Sequence, residues 1–288
     1  MPWPDLLTRC TFPPPGTAVT CAVSGGADSL ALLVLAVESG CEVTAVHVDH
    51  GLRPGSAEDS VAVADVAAKW GARFQTVRVQ VPPGPNLEAR ARTARYQALP
   101  ADVLTGHTAD DQAETMLLNL LRGAGIDGLA AMRRDRRPLL SLRRADTHEL
   151  CAQLGLEPID DETNADRRFR RNRIRHDLLP VLDTIAERDV ADLLSRQADL
   201  LRDEADLLDA LAREVDPTDA CVLAAAPVAL GRRAVRLWLG GEHPPDAATV
   251  ERVLAVARGE AVATEIGKGR RVVRHKQRLA IEPRRAAR

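Results

Sequence analysis

Residues 17–38 read TAVTCAVSGGADSLALLVLAVE: a run rich in Thr and Val, the six small residues Ser24, Gly25, Gly26, Ala27, Asp28 and Ser29, then an apolar run of helical length. That order is a strand, a tight turn and a buried helix. A turn of this kind is where a parallel sheet receives an anion. Glycines admit a close backbone approach, NH groups at the helix N-terminus point outward, and serine hydroxyls add donors. Taken alone, the six residues read equally well as a plain strand-to-helix turn capped by Ser24 or Asp28. They match neither GxxxxGK[ST] nor GxGxxG.

Working outward, CEVTAVHVDHG is a second strand, SAEDSVAVADVAAKWG a helix, RFQTVRVQV a strand and LEARARTARYQAL a helix. ADVLTGH is a short strand, and DDQAETMLLNLLRGAG a helix stopped by its glycines. The alternation predicts an α/β fold, a doubly wound, mostly parallel sheet with ligands beyond the carboxyl ends of its strands. From Ile185 to Val215 the pattern predicts one long helix with an apolar stripe at Leu193, Leu200, Leu207 and Leu211. That stripe suits packing on neighbouring elements, or a contact between two copies of the chain in a homodimer. Residues 217–283 predict two helices, PVALGRRAVRLWLG and DAATVERVLAVARG, and a strand pair around EIGKGRRVVRHKQRLAIEP. The division is a sheet domain over 1–184, a connecting helix over 185–216 and a small α+β domain over 217–288.

Composition narrows the function. The chain holds 288 residues at net charge −2, with seven aromatic residues in all, so base stacking on many aromatic platforms is not expected. Its five cysteines are scattered without a CxxC, which argues against a zinc or iron-sulfur site and against a disulfide framework. No leader pattern opens the chain and no 18 apolar residues run together, so a cytoplasmic protein without membrane contact is expected. The basic residues are concentrated: RRFRRNRIR has six arginines in nine residues, and 268–288 hold nine basic residues against one acid. Either stretch can grip a polyanion locally.

Polar residues gather at the predicted rim of the sheet. HVDHGLR ends the second strand with His47, Asp49 and His50, where a buried strand should be apolar; His50 is the candidate nucleotide contact there, and a solvated loop is the plain alternative. GHTADDQAET adds His107, Asp110, Asp111 and Glu114. Asp111 and Glu114, three apart, share a helix face, although acids in a first turn also suit the helix dipole without any function.

SGGADS after a first strand resembles the PP-loop of the ATP pyrophosphatase superfamily, with its adenine nucleotide alpha hydrolase-like fold. Together with LEARARTARYQAL, GHTADDQAETMLLNLLRGAGIDGLAAM, RPLL and RNRIRHDLLPVL, the chain from Val19 to Leu182 is similar to the tRNA(Ile)-lysidine synthase family. The resemblance implies ATP-driven ligation of L-lysine to the wobble cytidine of a tRNA(Ile) with the anticodon CAU, through an adenylated base. It makes 1–184 a PP-loop ATP-binding catalytic domain and 217–288 a tRNA contact. By resemblance, Ser24, Gly25, Gly26, Ala27, Asp28 and Ser29 hold the pyrophosphate end of ATP, with Mg²⁺ expected at Asp28. Asp111 and Glu114 receive the lysine, His107 is the candidate for its proton, and Arg92, Arg122, Arg171, Arg173 and Arg175 take phosphates of tRNA or ATP. Beyond Leu182 the resemblance is architectural only, and the further C-terminal domain of some members is not expected within this length. The competing readings are a tRNA thiolase, which would need a cysteine pair or an iron-sulfur cluster, and a non-catalytic nucleotide- or RNA-binding module, which would be expected to avoid the acidic cluster.

Overall fold

The computed structural model describes residues 4–49, 51, 56–80, 84, 87–159, 166–241 and 245–284, without the side chains at 56, 57, 87–89, 91 and 92. They form two compact units that divide between Arg202 and Asp203.

The first unit opens with a short α1 (Pro4–Leu7) and then alternates: β1 (Ala18–Ala22), α2 (Ala27–Glu38), β2 (Glu42–Asp49), α3 (Ser56–Lys69), β3 (Arg73–Arg78), α4 (Leu87–Ala98), β4 (Leu104–Thr105) and α5 (Ala109–Leu121). The strands are all parallel, in the order β3-β2-β1-β4. Register places Cys21 beside Ala45 on one side and Leu104 on the other. Two-residue periodicity sorts the side chains onto two faces. Cys21, Val23, Val43 and Ala45 join the core built by α2, while Ala22, Val46, Val48 and Val77 join a smaller core with Leu99 and Val103. Helix α2 is apolar all round, and its residues Leu30 to Ala36 are buried, as a helix packed on every side requires.

Four helices follow: α6 (Ile126–Leu129), α7 (Arg144–Gln153), α8 (Arg170–Arg173) and, after a π-helical turn over Ile174–Leu178, α9 (Leu179–Ala186). Pro180 explains the widened turn, because its ring would collide with the His176 carbonyl of a regular helix. The long helix expected from Ile185 is in fact two. Glu187 at φ 51 is left-handed and ends α9. Asp183 then accepts the Val190 amide at 2.8 Å and Asp189 the Asp192 amide at 3.1 Å, so α10 (Val190–Arg213) begins afresh. Three DLLxxxA heptads run along α10. Their alanines Ala198, Ala205 and Ala212 are buried, whereas Leu200, Leu207 and Leu211 are exposed. No helix of the described residues is long and apolar enough to cross a membrane.

The second unit holds α11 (Ala220–Ala225), α12 (Val228–Leu239), α13 (Ala247–Arg258) and a sheet of β5 (Ala263–Gly267), β6 (Arg270–His275) and β7 (Arg278–Pro283). Where a strand pair is expected there are three antiparallel strands, in sequence order. Asp219 caps α11 by accepting from the amides of Cys221 and Val222, and Asp246 caps α13 by accepting from Thr249 N. Leu223, Val235, Val253, Val272 and Leu279 form its separate core.

Candidate active site

β1 and β4 are neighbours in the sheet, and β1 leads off toward β2 while β4 lies on its other side. Their carboxyl ends therefore flank the crevice in which a doubly wound sheet binds ligands. Two loops meet at that crevice.

After β1 the chain turns at Gly25, φ +89. The Ser24 amide donates to Ser29 Oγ at 3.1 Å, that hydroxyl donates to the Gly26 carbonyl at 2.8 Å, and the Ile159 amide donates to the Gly25 carbonyl at 3.0 Å. A Cβ at residue 25 would crowd the Ile159 side chain as well as strain the backbone, so only Gly serves there. After β4, Gly106 presses on the same loop: a Cβ there would lie 2.8 Å from the Asp28 carbonyl carbon. The loop thus presents Ser24 exposed at the mouth and Asp28 half-buried beside it.

The second loop enters α5 through a capping arrangement. The Thr108 amide and hydroxyl donate to Asp111 Oδ2 at 2.9 and 3.2 Å. Glu114, one turn on, has no exposed surface. A buried carboxylate needs partners, and three arginines supply them. Arg171 Nε lies 2.5 Å from Glu114 Oε2, Arg175 Nε 2.7 Å from Oε1 and Arg144 Nη1 3.4 Å from Oε1. Arg144 Nη2 and Arg171 Nη2 each donate to Asp111 Oδ1 at 3.0 Å. Arg144 Nε also lies 3.5 Å from Asp28 Oδ2, so one guanidinium touches all three acids.

α7 carries Arg143 at its N-cap and Arg144 at its first position, where the helix dipole disfavours cations. Asp110 offsets this by taking Arg143 Nε and Nη2 at 3.0 and 2.8 Å and the Arg144 amide at 2.7 Å. Buried Thr147, on the same helix, donates to Asp28 Oδ1 at 2.5 Å. Its oxygen also lies 2.8 Å from the Arg144 carbonyl, and its single proton serves one of the two acceptors at a time. Burial opposes the ionised form of Asp111, but Arg144, His107, Arg171 and the Thr108 amide outweigh it and bring the carboxyl down to about 2. Burial pushes the Asp28 carboxyl above its ordinary range, the Thr147 hydrogen bond opposes the rise, and the Asp111 charge adds to it.

Asp28, Asp111 and Glu114 are therefore brought together. His107 flanks them, its Nδ1 2.8 Å from Thr105 Oγ1. Arg171 and Arg175, expected at phosphates, pair with the acid pair in this structure, while Arg173 is exposed and Arg122 is the exposed C-cap of α5. His50 and the Arg92 side chain lie outside the described residues. His47 is part of the scaffold: its Nδ1 lies 2.9 Å from the Val23 carbonyl and its side chain is buried. Asp49 accepts the Gly51 amide at 2.8 Å. Sequence reasoning missed Arg143, Arg144 and Thr147. The signal for the two arginines was their place at a helix start, which calls for acidic partners.

An anion cradle opposite buried acids, on a parallel sheet of this order, defines a PP-loop nucleotide-binding protein, and a family model described as a PP-loop domain matches residues 7–182. Curated relatives share the sequence over most of its length. The tRNA(Ile)-lysidine synthase of Nocardia farcinica is 44% identical over 96% of this chain and 95% of its own. That of Thermobifida fusca is 42% identical over 85% and 84%. The chain belongs to the tRNA(Ile)-lysidine synthase family, and so is an enzyme that uses ATP and acts on tRNA. Among solved structures, the U34-tRNA thiolase NcsA from Methanococcus maripaludis, with its [4Fe-4S] cluster, matches at TM-score 0.56 and 16% identity, over 69% of this chain and 78% of its own. That likeness is one of fold.

Proposed function

We propose that this chain, acting in the cytoplasm, joins the ε-amine of L-lysine to C2 of the wobble cytidine in a tRNA(Ile) with the anticodon CAU. The observation that carries the reading is the meeting of the anion cradle at Asp28 with the buried pair Asp111 and Glu114 across one guanidinium, Arg144. In the first step the cytidine O2 attacks the α-phosphate of ATP and pyrophosphate leaves. In the second the lysine amine attacks C2, the C2–O bond breaks, AMP leaves with the oxygen, and one proton is lost. An oxide-like oxygen leaves poorly, and adenylation turns it into a good leaving group.

The residues divide this work. The loop amides and the N-terminus of α2 stabilise charge gathering on pyrophosphate. Asp111 and Glu114 receive the ammonium of lysine. The attacking amine must be neutral, against a free pKa of about 10.4. A carboxylate favours the charged form, so the proton goes elsewhere, and we assign it to His107, whose ring Thr105 orients. A Mg²⁺ would take Asp28 as its one hard carboxylate and draw its other ligands from phosphate and water, since among the described residues no three His, Cys, Asp or Glu side chains are placed to hold a metal ion. Bound there, it would screen the polyphosphate from the carboxylates. Exposed Arg122 and Arg173 are available to tRNA phosphates. Sulfur transfer is disfavoured because Cys21 is buried with its thiol pushed up to about 12 and Cys151, behind the loop, to about 11.

The test is to incubate the chain with ATP, labelled L-lysine and an unmodified tRNA(Ile) transcript. Label should enter the tRNA with equimolar AMP and pyrophosphate, and Glu114→Gln should lower the incorporation by about 100-fold while ATP still binds. Pyrophosphate release without label in the tRNA would sink the proposal.

A further inference from the structure

We propose that Arg144 makes the amine site conditional on nucleotide, holding Asp111 and Glu114 closed to an ammonium until a polyphosphate draws its guanidinium toward the Asp28 loop. The inference rests on lysine binding at those two acids.

The geometry is that of a bridge. Each of the three guanidinium nitrogens faces a different carboxylate: Nε is 3.5 Å from Asp28, Nη2 3.0 Å from Asp111 and Nη1 3.4 Å from Glu114. Two of the three contacts are long, whereas Arg171 and Arg175 approach Glu114 at 2.5 and 2.7 Å. Arg144 comes no closer than 3.0 Å to any of its acids, and it is the arginine of the three that also reaches Asp28 in the nucleotide loop.

Charge decides what the closed arrangement admits. Asp28, Asp111 and Glu114 face Arg144, Arg171 and Arg175, three charges against three. A fourth cation entering this largely buried group would lose its hydration with no free carboxylate to receive it. A polyphosphate changes the balance, because guanidinium pairs well with phosphate oxygens and the α2 N-terminus already favours an anion beside Asp28. Moving Arg144 toward phosphate takes one cation from Asp111 and Glu114 and leaves carboxylate oxygens with which an ammonium can pair. The position of Arg144 at the start of α7, against the dipole, means that the acids hold it there rather than its own helix. Lysine therefore enters after ATP, and the base is activated before the nucleophile is seated.

Calorimetry with the full chain, without tRNA, tests this. L-lysine is titrated alone and at saturation with a non-hydrolysable ATP analogue and Mg²⁺. Lysine should bind about tenfold more tightly with the analogue, and lysine should tighten the analogue by the same factor, since coupling between sites is reciprocal. In Arg144→Met lysine should bind without nucleotide near the affinity of the nucleotide-loaded wild type, with the coupling reduced to less than about twofold. Equal lysine affinity in the wild type with and without the analogue overturns the inference alone. So does a variant, folded by circular dichroism, that keeps the full coupling. Lysine that binds under neither condition overturns the assignment of the acids as well.

Discussion

Asp111 shows how far one side chain can commit to its partners. Its carboxyl titrates near 2 in the folded chain against an ordinary 3.8. Folded Asp111 therefore adds stability that is present above pH 3.8 and is lost as pH falls toward 2, worth about 2 kcal/mol. Asp28 has the opposite sign, since its raised carboxyl costs stability above its ordinary range. Asp110, lowered by its hydrogen bonds from Arg143 and the Arg144 amide, has the same sign as Asp111, so both feed the acid limb of the stability curve. Asp111→Asn should be less stable by about 2 kcal/mol at pH 7, with the gap closing between pH 4 and pH 2.5, as measured by denaturant unfolding at several pH values. A gap that stays constant over that range would contradict the assignment. The residues at this scale were only half legible. Asp111 and Glu114 stand three apart and announce a shared face, but their partners Arg144, Arg171 and Arg175 lie 30 to 61 residues away in the chain, a distance at which no periodicity operates. The arginine run was visible as charge, and charge alone suggested phosphate rather than carboxylate.

Helix α10 makes the same point for elements. Its leucines are the louder signal in the sequence, yet the buried seam is made by the alanines, at 0 and 1% exposure for Ala198 and Ala205 against 56 and 61% for Leu200 and Leu207. Small side chains permit a close approach that leucine would block. Ala198→Leu should therefore cost about 1–3 kcal/mol through overpacking, whereas Leu200→Ser should stay within about 0.5 kcal/mol. Urea midpoints of the two variants provide the comparison, and the reverse order would refute the seam. From β1 to α5 the elements were legible because short β-branched runs and runs of helical length alternate between turn residues, whereas the short helices that follow α5 carry no such alternation. The break before α10 was hidden because its left-handed residue is Glu187 rather than Gly. Three C-terminal strands were legible only as a pair because charged residues run through the whole stretch, β6, RRVVRH, carrying just two apolar residues.

At the level of the whole molecule, the acids, their arginines and the phosphate loop all belong to the unit before Asp203, while the second unit keeps its own core around Leu223, Val253 and Leu279. Stability and nucleotide chemistry should then separate by position. Leu223→Ala, at a side chain 1% exposed, should cost about 2–5 kcal/mol in the unfolding of the second unit. It should leave the affinity for an ATP analogue unchanged within about twofold, because sites that share no partners behave independently. Fluorescence-monitored unfolding and calorimetry on the same preparation check both halves, and a large loss of nucleotide affinity would count against the division of labour.

Gly106 links these scales mechanically. With only a hydrogen on its Cα, it lets the end of β4 rest against the Asp28 backbone. No side chain lies between them that could rotate and absorb a displacement. The turn at Asp28 and the strand that leads into the acid helix therefore bear on each other main chain to main chain, like two faces of one joint. Any side chain added at residue 106 would have to prise the two apart, since what it meets is backbone that cannot swing aside.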